Sequence, residues 1–196
     1  MTVQYTNRRS KTYYLYEGKT KTGKPKYYFS MKKEGKSVKK IPEGYEIYEH
    51  PINAQVFLRK ELSKIITDIE RRLIDKYLKK IGASNRYLFD IKGKVITIFE
   101  SDQDIDKLKE LFGSIFVPGF IDEKSAIDFA VNSEISYSPV MRFILDDKVK
   151  RTFITERYCF LGSIDGWMYI GGLDSLNNLL KKYSKHLGEN SFFDLY

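Results

Sequence analysis

An α+β fold is predicted by two patterns in this chain of 196 residues. Strand-favouring segments come in consecutive pairs joined by turn residues, instead of alternating singly with helices as a doubly wound α/β sheet requires. Two other stretches carry apolar residues at three- and four-residue steps, the period of an amphipathic helix. Composition allows a real core: 42% of residues are hydrophobic and 15% aromatic, and the 31% charged fraction is that of an ordinary folded protein. The expected architecture is a small antiparallel amino-terminal sheet, a long central helix, and carboxy-terminal antiparallel strands with helices.

The amino-terminal sheet is read from KTYYLYE at 11–17 and KYYFSM at 26–31, rich in strand-favouring side chains and separated by the turn-like GKTKTGKP. Glu34-Gly35 makes a second turn before Ser37–Ile41, and Pro42-Glu43-Gly44 a third before YEIYEH at 45–50. Strand alternation divides the side chains between two faces. Tyr13, Leu15, Tyr27, Phe29 and Met31 would share the buried face. Tyr14, Tyr16, Lys26, Tyr28 and Lys32 would lie on the open one.

The central helix is read from Leu58, Leu62, Ile65, Ile66, Ile69, Leu73 and Tyr77, with Asn53 as N-cap and Gly82 as the terminating glycine. Ile74, Leu78 and Ile81 fall off that stripe. Beyond Gly82 a hairpin is expected at 86–92 and 94–100 around Gly93. Ser101 and Asp104 suggest a capping box for a short helix to Phe112, and Asp122–Val131 a second helix. Strands follow at about 140–145, 152–160 and 167–170, then an amphipathic helix over Leu173–His186 ending at Gly188. The expected organisation is therefore a basic aromatic module over 1–52, a bracketing helix over 53–82 and an α+β domain over 83–196.

Charge is concentrated in one place. Met1–Lys40 carries twelve bases and two acids, a net +10 in a chain whose total is +8. Such concentration makes a directional field, and a basic aromatic surface fits a polyanion, nucleic acid first. Lysines neutralise phosphates and tyrosines stack on bases. The candidate nucleic-acid-binding residues are Lys21, Lys24, Lys26, Lys32, Tyr14, Tyr16 and Tyr28. An acidic protein surface is the alternative partner. The amino terminus, MTVQYTNRRSK, has no apolar run after its basic residues, and Leu111–Ile121 is too short to span a bilayer. A cytoplasmic protein without a membrane partner is expected.

No catalytic or cofactor motif survives inspection. Gly18-Lys-Thr-Lys-Thr-Gly23-Lys24 matches the start of a phosphate-binding loop, but Pro25 stands where the magnesium-binding Ser or Thr belongs, and strand residues follow where a helix should open. A basic hairpin loop explains it. Asp90-Ile91-Lys92 has the Asp-x-Lys ending of metal-dependent nuclease hairpins, yet such a site needs a further carboxylate from a nearby strand. A magnesium-dependent nuclease using Asp90 and Lys92 remains the enzymatic alternative. Asp146-Asp147 reads as a turn. The single cysteine, Cys159, excludes an internal disulfide, and neither His50 nor His186 has a second histidine at ligand spacing. Arg151, Glu156 and Arg157 suggest a polar cluster on one strand pair, or equally a surface salt-bridge ladder.

The stretches RRSKTYYLYEGKTKTGKPKYYFS and IPEGYEIYEHPINAQVFLRK resemble the opening of a group of bacterial proteins of unknown function. The similarity covers about the first sixty residues, with YCFLGSIDGW and HLGENSFF near the other end, and it implies no activity. In outline alone, three strands followed by a helix is also similar to the arm-binding sheets of phage integrases and to some DNA-end-binding modules.

Overall fold

The computed structural model describes residues 2–82, 85–115, 123–161 and 164–195. The fold is α+β, and the chain forms two compact units, one of residues 1–61 with 106–136 and the other of 62–105 with 137–196.

In the first unit, β1 (Gln4–Thr6), β2 (Thr12–Lys19), β3 (Pro25–Ser30) and β4 (Lys36–Ser37) form one antiparallel sheet with β2 at its centre. β3 occupies one edge of β2, and β1 and β4 share the other. They meet at Leu15, whose N–H donates to Val3 O at 2.9 Å and whose carbonyl accepts from Val38 at 3.0 Å. β5 (Tyr45–Glu49) and β6 (Val56–Lys60) make a separate hairpin. It is fastened to the loop after β1 by one buried and several half-buried polar bonds. Asn7 Nδ2 donates to Ala54 O at 2.7 Å, and Arg8 Nη1 reaches Glu49 Oε1 at 2.7 Å and His50 O at 3.0 Å. Two helices, α2 (Ile105–Ile115) and α3 (Glu123–Glu134), belong almost wholly to this unit.

In the second unit β7 (Tyr87–Lys92), β8 (Val95–Ser101), β9 (Tyr137–Asp147), β10 (Thr152–Leu161) and β11 (Ile164–Ser175) form a five-stranded antiparallel meander in the order β11-β10-β9-β8-β7. Its core joins Ile96, Ile98, Met141, Phe143, Leu145 and Phe153 of the sheet to Ile74 and Leu78 of α1 (Asp68–Ile81) and to Leu176, Leu179 and Leu180 of α4 (Leu176–Tyr183). Cys159 is a buried strand residue with a free thiol.

Several expectations need correction. Residues 53–67 are not helical. Val56–Lys60 pairs with β5, with Leu58 opposite Ile47 and Arg59 opposite Glu46, so the bracketing helix shrinks to 14 residues. The helix starts where its donors are satisfied. The Thr67 hydroxyl accepts from Glu70 N while the Glu70 carboxylate accepts from Thr67 N, a capping box absent at Asn53. The buried stripe is rotated as well: Ile74 is 0% exposed and Ile69 is 71% exposed. Gly82 does end the helix, but its φ is −158°, an ordinary extended value. Glycine is needed there because a Cβ would stand 2.9 Å from the Tyr87 ring.

Ser101 caps no helix. It ends β8, and its hydroxyl bonds Gln103 N and O at 3.2 and 2.8 Å. Of the segment expected as a helix from Asp122, Asp122 itself lies outside the described residues, and α3 follows it. Leu173 lies in β11, with α4 starting three residues later behind a Ser175 cap. Arg151, Glu156 and Arg157 do not form a ladder. Arg151 joins Glu70, Glu156 joins Arg142, and the buried Arg157 donates to Leu195 O at 2.9 Å and Phe193 O at 3.3 Å.

Candidate nucleic-acid interface

The register of β2 against β3 fixes which side chains share a face, because directly paired residues point the same way. Leu15 pairs with Phe29 and Glu17 with Tyr27, while Tyr14 pairs with Ser30, Tyr16 with Tyr28 and Gly18 with Lys26. The expected division into two faces therefore holds. Burial follows it only in part: on the face expected to be buried, Leu15 is buried while Tyr13, Tyr27 and Phe29 are half-buried, and two residues depart outright. Met31 lies beyond β3 and is 55% exposed, whereas Tyr16, expected on the open face, is only 4% exposed.

The reason is Gly35. Its φ of +122° lies in a region L side chains rarely adopt, and a Cβ there would stand 3.1 Å from the Tyr28 hydroxyl and 3.3 Å from the Tyr16 ring. The backbone that brings β4 back to β2 thus lies directly on this tyrosine pair, whose ring centroids are 6.0 Å apart. Tyr28 remains 37% exposed, and Tyr14 is half-buried with Lys33 Nζ 5.1 Å above its ring.

The candidate lysines sit at two ends of the hairpin. Lys21 and Lys24 belong to its tip, which is closed by Thr20 N to Lys24 O at 2.8 Å and Gly23 N to Thr20 O at 2.9 Å. Lys26 opens β3 beside them, and Lys32 follows its far end. At roughly 3.3 Å per strand residue, β3 carries this face for about 13 Å from Lys26 to Ser30, with Lys32 beyond its end. No helix follows the tip, so the geometry of a nucleotide phosphate cradle is missing.

The basic residues divide by type. All ten lysines between Lys11 and Lys40 are exposed. Of these ten, among the described residues, only Lys36 is ion-paired, to Glu17 at 2.8 Å, and the hydrogen bond it donates to that carboxylate holds its pKa above the ordinary lysine value. The two arginines face inward: Arg8 binds Glu49 and main-chain carbonyls of the β5–β6 turn, and Arg9 Nη2 donates to Ile135 O at 2.9 Å. In the sequence both add to the charge of residues 1–40. Their structural use was hidden because their partners lie 41 and 126 positions away.

Two of the clefts among the described residues are lined in part by this sheet. One of about 870 Å³ is lined by Tyr27, Tyr45, Lys39 and Lys40, but also by Glu17, Glu43 and Glu61. The other, of about 590 Å³, is lined by Thr2, Gln4, Tyr14, Tyr16, Lys33, Gly35 and Ser37. Thr2, Gln4, Lys33, Gly35 and Ser37 were not singled out from sequence. Gln4 stands opposite Tyr14 and Ser37 opposite Tyr16, pairings that become visible only when β1 and β4 are seen sharing one edge of β2.

Elsewhere, Asp90 accepts from Ile91 N at 2.9 Å and lies 3.9 Å from Lys92 Nζ. Among the described residues no three His, Cys, Asp or Glu side chains converge to hold a metal. His186 Nδ1 lies 2.8 Å from Ser191 Oγ. No described helix is long and apolar enough to cross a membrane. Compared with family models, curated proteins and solved structures, the chain matches none.

Proposed function

We propose that the amino-terminal sheet binds nucleic acid through the phosphate backbone, with tyrosine rings adding a smaller contribution from the bases. One observation carries the reading: the lysines of residues 11–40 all face solvent, and Lys21, Lys24 and Lys26 cluster at one hairpin end with no ion pair among the described residues. Positive charge concentrated on one surface attracts a polyanion and speeds encounter with it. The aromatic residues beside the lysines favour a nucleic acid over a merely acidic protein, because bases offer flat rings to stack on.

Fluorescence anisotropy with labelled oligonucleotides across a salt series tests this. Log affinity should fall linearly with log salt, by about 0.9 per phosphate contact on duplex DNA. No binding even at low salt would overturn the proposal. An acidic protein partner would be revealed instead by a pull-down that survives nuclease treatment.

A further inference from the structure

The cleft bounded by Tyr14, Tyr16, Gln4, Lys33, Gly35 and Ser37 differs from the larger one in its chemistry. Its lining contains no carboxylate and one lysine, whereas the larger cleft mixes two lysines with three carboxylates. The lining of the smaller cleft is thus net positive and that of the larger net negative. Both walls of the smaller cleft are set by strand pairing: Gln4 is opposite Tyr14, and Ser37 is opposite Tyr16. Gly35, itself part of the lining, lies close against Tyr16 and Tyr28.

We propose that this cleft receives one unpaired nucleobase, so that the protein prefers single-stranded nucleic acid to duplex. The inference rests on the nucleic-acid reading above and specifies its ligand. At about 590 Å³ the cleft is within the range of sites that enclose a small molecule, and it holds a base with part of its sugar. The Tyr14 ring supplies a stacking surface. Gln4 carries both an amide donor and an amide acceptor, and the Thr2 and Ser37 hydroxyls can do either, which suits the mixed edge of a base. Lys33, now over the Tyr14 ring, has a four-carbon arm that can exchange the ring for a phosphate oxygen. A base within a duplex is stacked on both sides and its pairing edge is occupied, so it cannot enter.

The test measures anisotropy on a labelled mixed-sequence single strand, its duplex, and a single strand of the same length built of abasic units, each as DNA, with an RNA single strand alongside. The intact single strand should bind at least tenfold more tightly than the abasic one and than the duplex. Stacking of one base on an aromatic ring is of about that size. Tyr14→Leu should lose that advantage while leaving abasic binding and its salt slope unchanged. Gln4→Ala, at an exposed site that cannot disturb the core, should reduce it several-fold. Equal salt-dependent binding of intact, abasic and duplex forms would overturn the cleft proposal while leaving the phosphate-binding reading intact. Absence of binding to every form would overturn both. Equal binding of RNA and DNA single strands supports a site that reads the base, and a strong RNA preference would overturn a purely base-directed cleft by pointing to the 2′-hydroxyl.

Discussion

Arg151 grips both carboxylate oxygens of Glu70: its Nε donates to Oε1 at 3.0 Å, and its Nη2 bonds Oε2. The same carboxylate accepts from Thr67 N at 2.8 Å, closing the first turn of α1. One side chain therefore caps a helix and ties that helix to the β9–β10 turn. Arg151 also donates to Ile65 O at 3.3 Å, which fixes the chain entering the helix.

This arrangement sets a pH dependence. Burial raises the Glu70 pKa, but the bonds from Arg151 and Thr67 outweigh it and hold the carboxyl below its usual value. A carboxyl with a lowered folded-state pKa contributes stability that is complete above its unfolded value. The contribution is lost as pH falls through the lower folded value. Glu70→Gln should cost about 1–2 kcal/mol at neutral pH, the range for losing a partly exposed charge-assisted pair. The gap in melting temperature between wild type and variant should stay constant from about pH 8 to pH 5 and narrow below about pH 4. A gap independent of pH down to the acid transition would refute this role.

The rotated stripe of α1 predicts unequal truncations. Ile74 is wholly buried, and Ile74→Ala should cost about 2–5 kcal/mol. Ile69 is 71% exposed, so Ile69→Ala should stay within about 0.5 kcal/mol of wild type. Urea unfolding followed by far-ultraviolet circular dichroism measures both. A larger loss at Ile69 would mean that the helix packs with a different face.

Replacing Lys21, Lys24 and Lys26 together by Ala should flatten the salt dependence of oligonucleotide binding by about two to three units, roughly 0.9 for each lost phosphate contact. Tyr28→Ala should weaken binding with the slope nearly unchanged, since stacking releases no counterion. If the triple variant keeps the wild-type slope, phosphates are met by other lysines.

The Gly18–Pro25 tip should take up no Mg-ATP or Mg-GTP in isothermal titration. Its amides are engaged in closing the hairpin at Thr20, Gly23 and Lys24, and no helix N-terminus stands behind them. Micromolar uptake abolished by Lys24→Ala would overturn that assignment.

What was legible in the sequence depended on short-range order. The two faces of the β2–β3 hairpin could be read from alternation, and the β7–β8 hairpin from the turn at Gly93, because both need only neighbouring residues. The helix boundary was misread because Leu58 and Leu62 happen to extend the three-to-four spacing of the true helix backwards. The Glu46–Arg59 pair that marks a hairpin there gains meaning only once the strands are paired. Burial of Tyr16 was hidden for a similar reason: it depends on where a two-residue strand, β4, is brought by the turn at Gly35. Of the candidate site, the lysines were visible as composition. The cleft was not, because its walls come from three strands whose order on the sheet no local pattern reveals.

The segregation of the amino-terminal bases, lysines outward and arginines inward, makes surface charge and folding separable by covalent chemistry. Acetylation with a mild amine reagent would convert the ten exposed lysines of residues 11–40 to neutral amides and remove the positive field, while the guanidinium groups of Arg8 and Arg9 went on holding the β5–β6 turn and Ile135 in place. A guanidine-directed dicarbonyl would do the reverse, leaving the lysine field and loosening the scaffold beneath it. Graded acetylation followed by mass spectrometry would then order the lysines by how strongly a bound oligonucleotide shields each one.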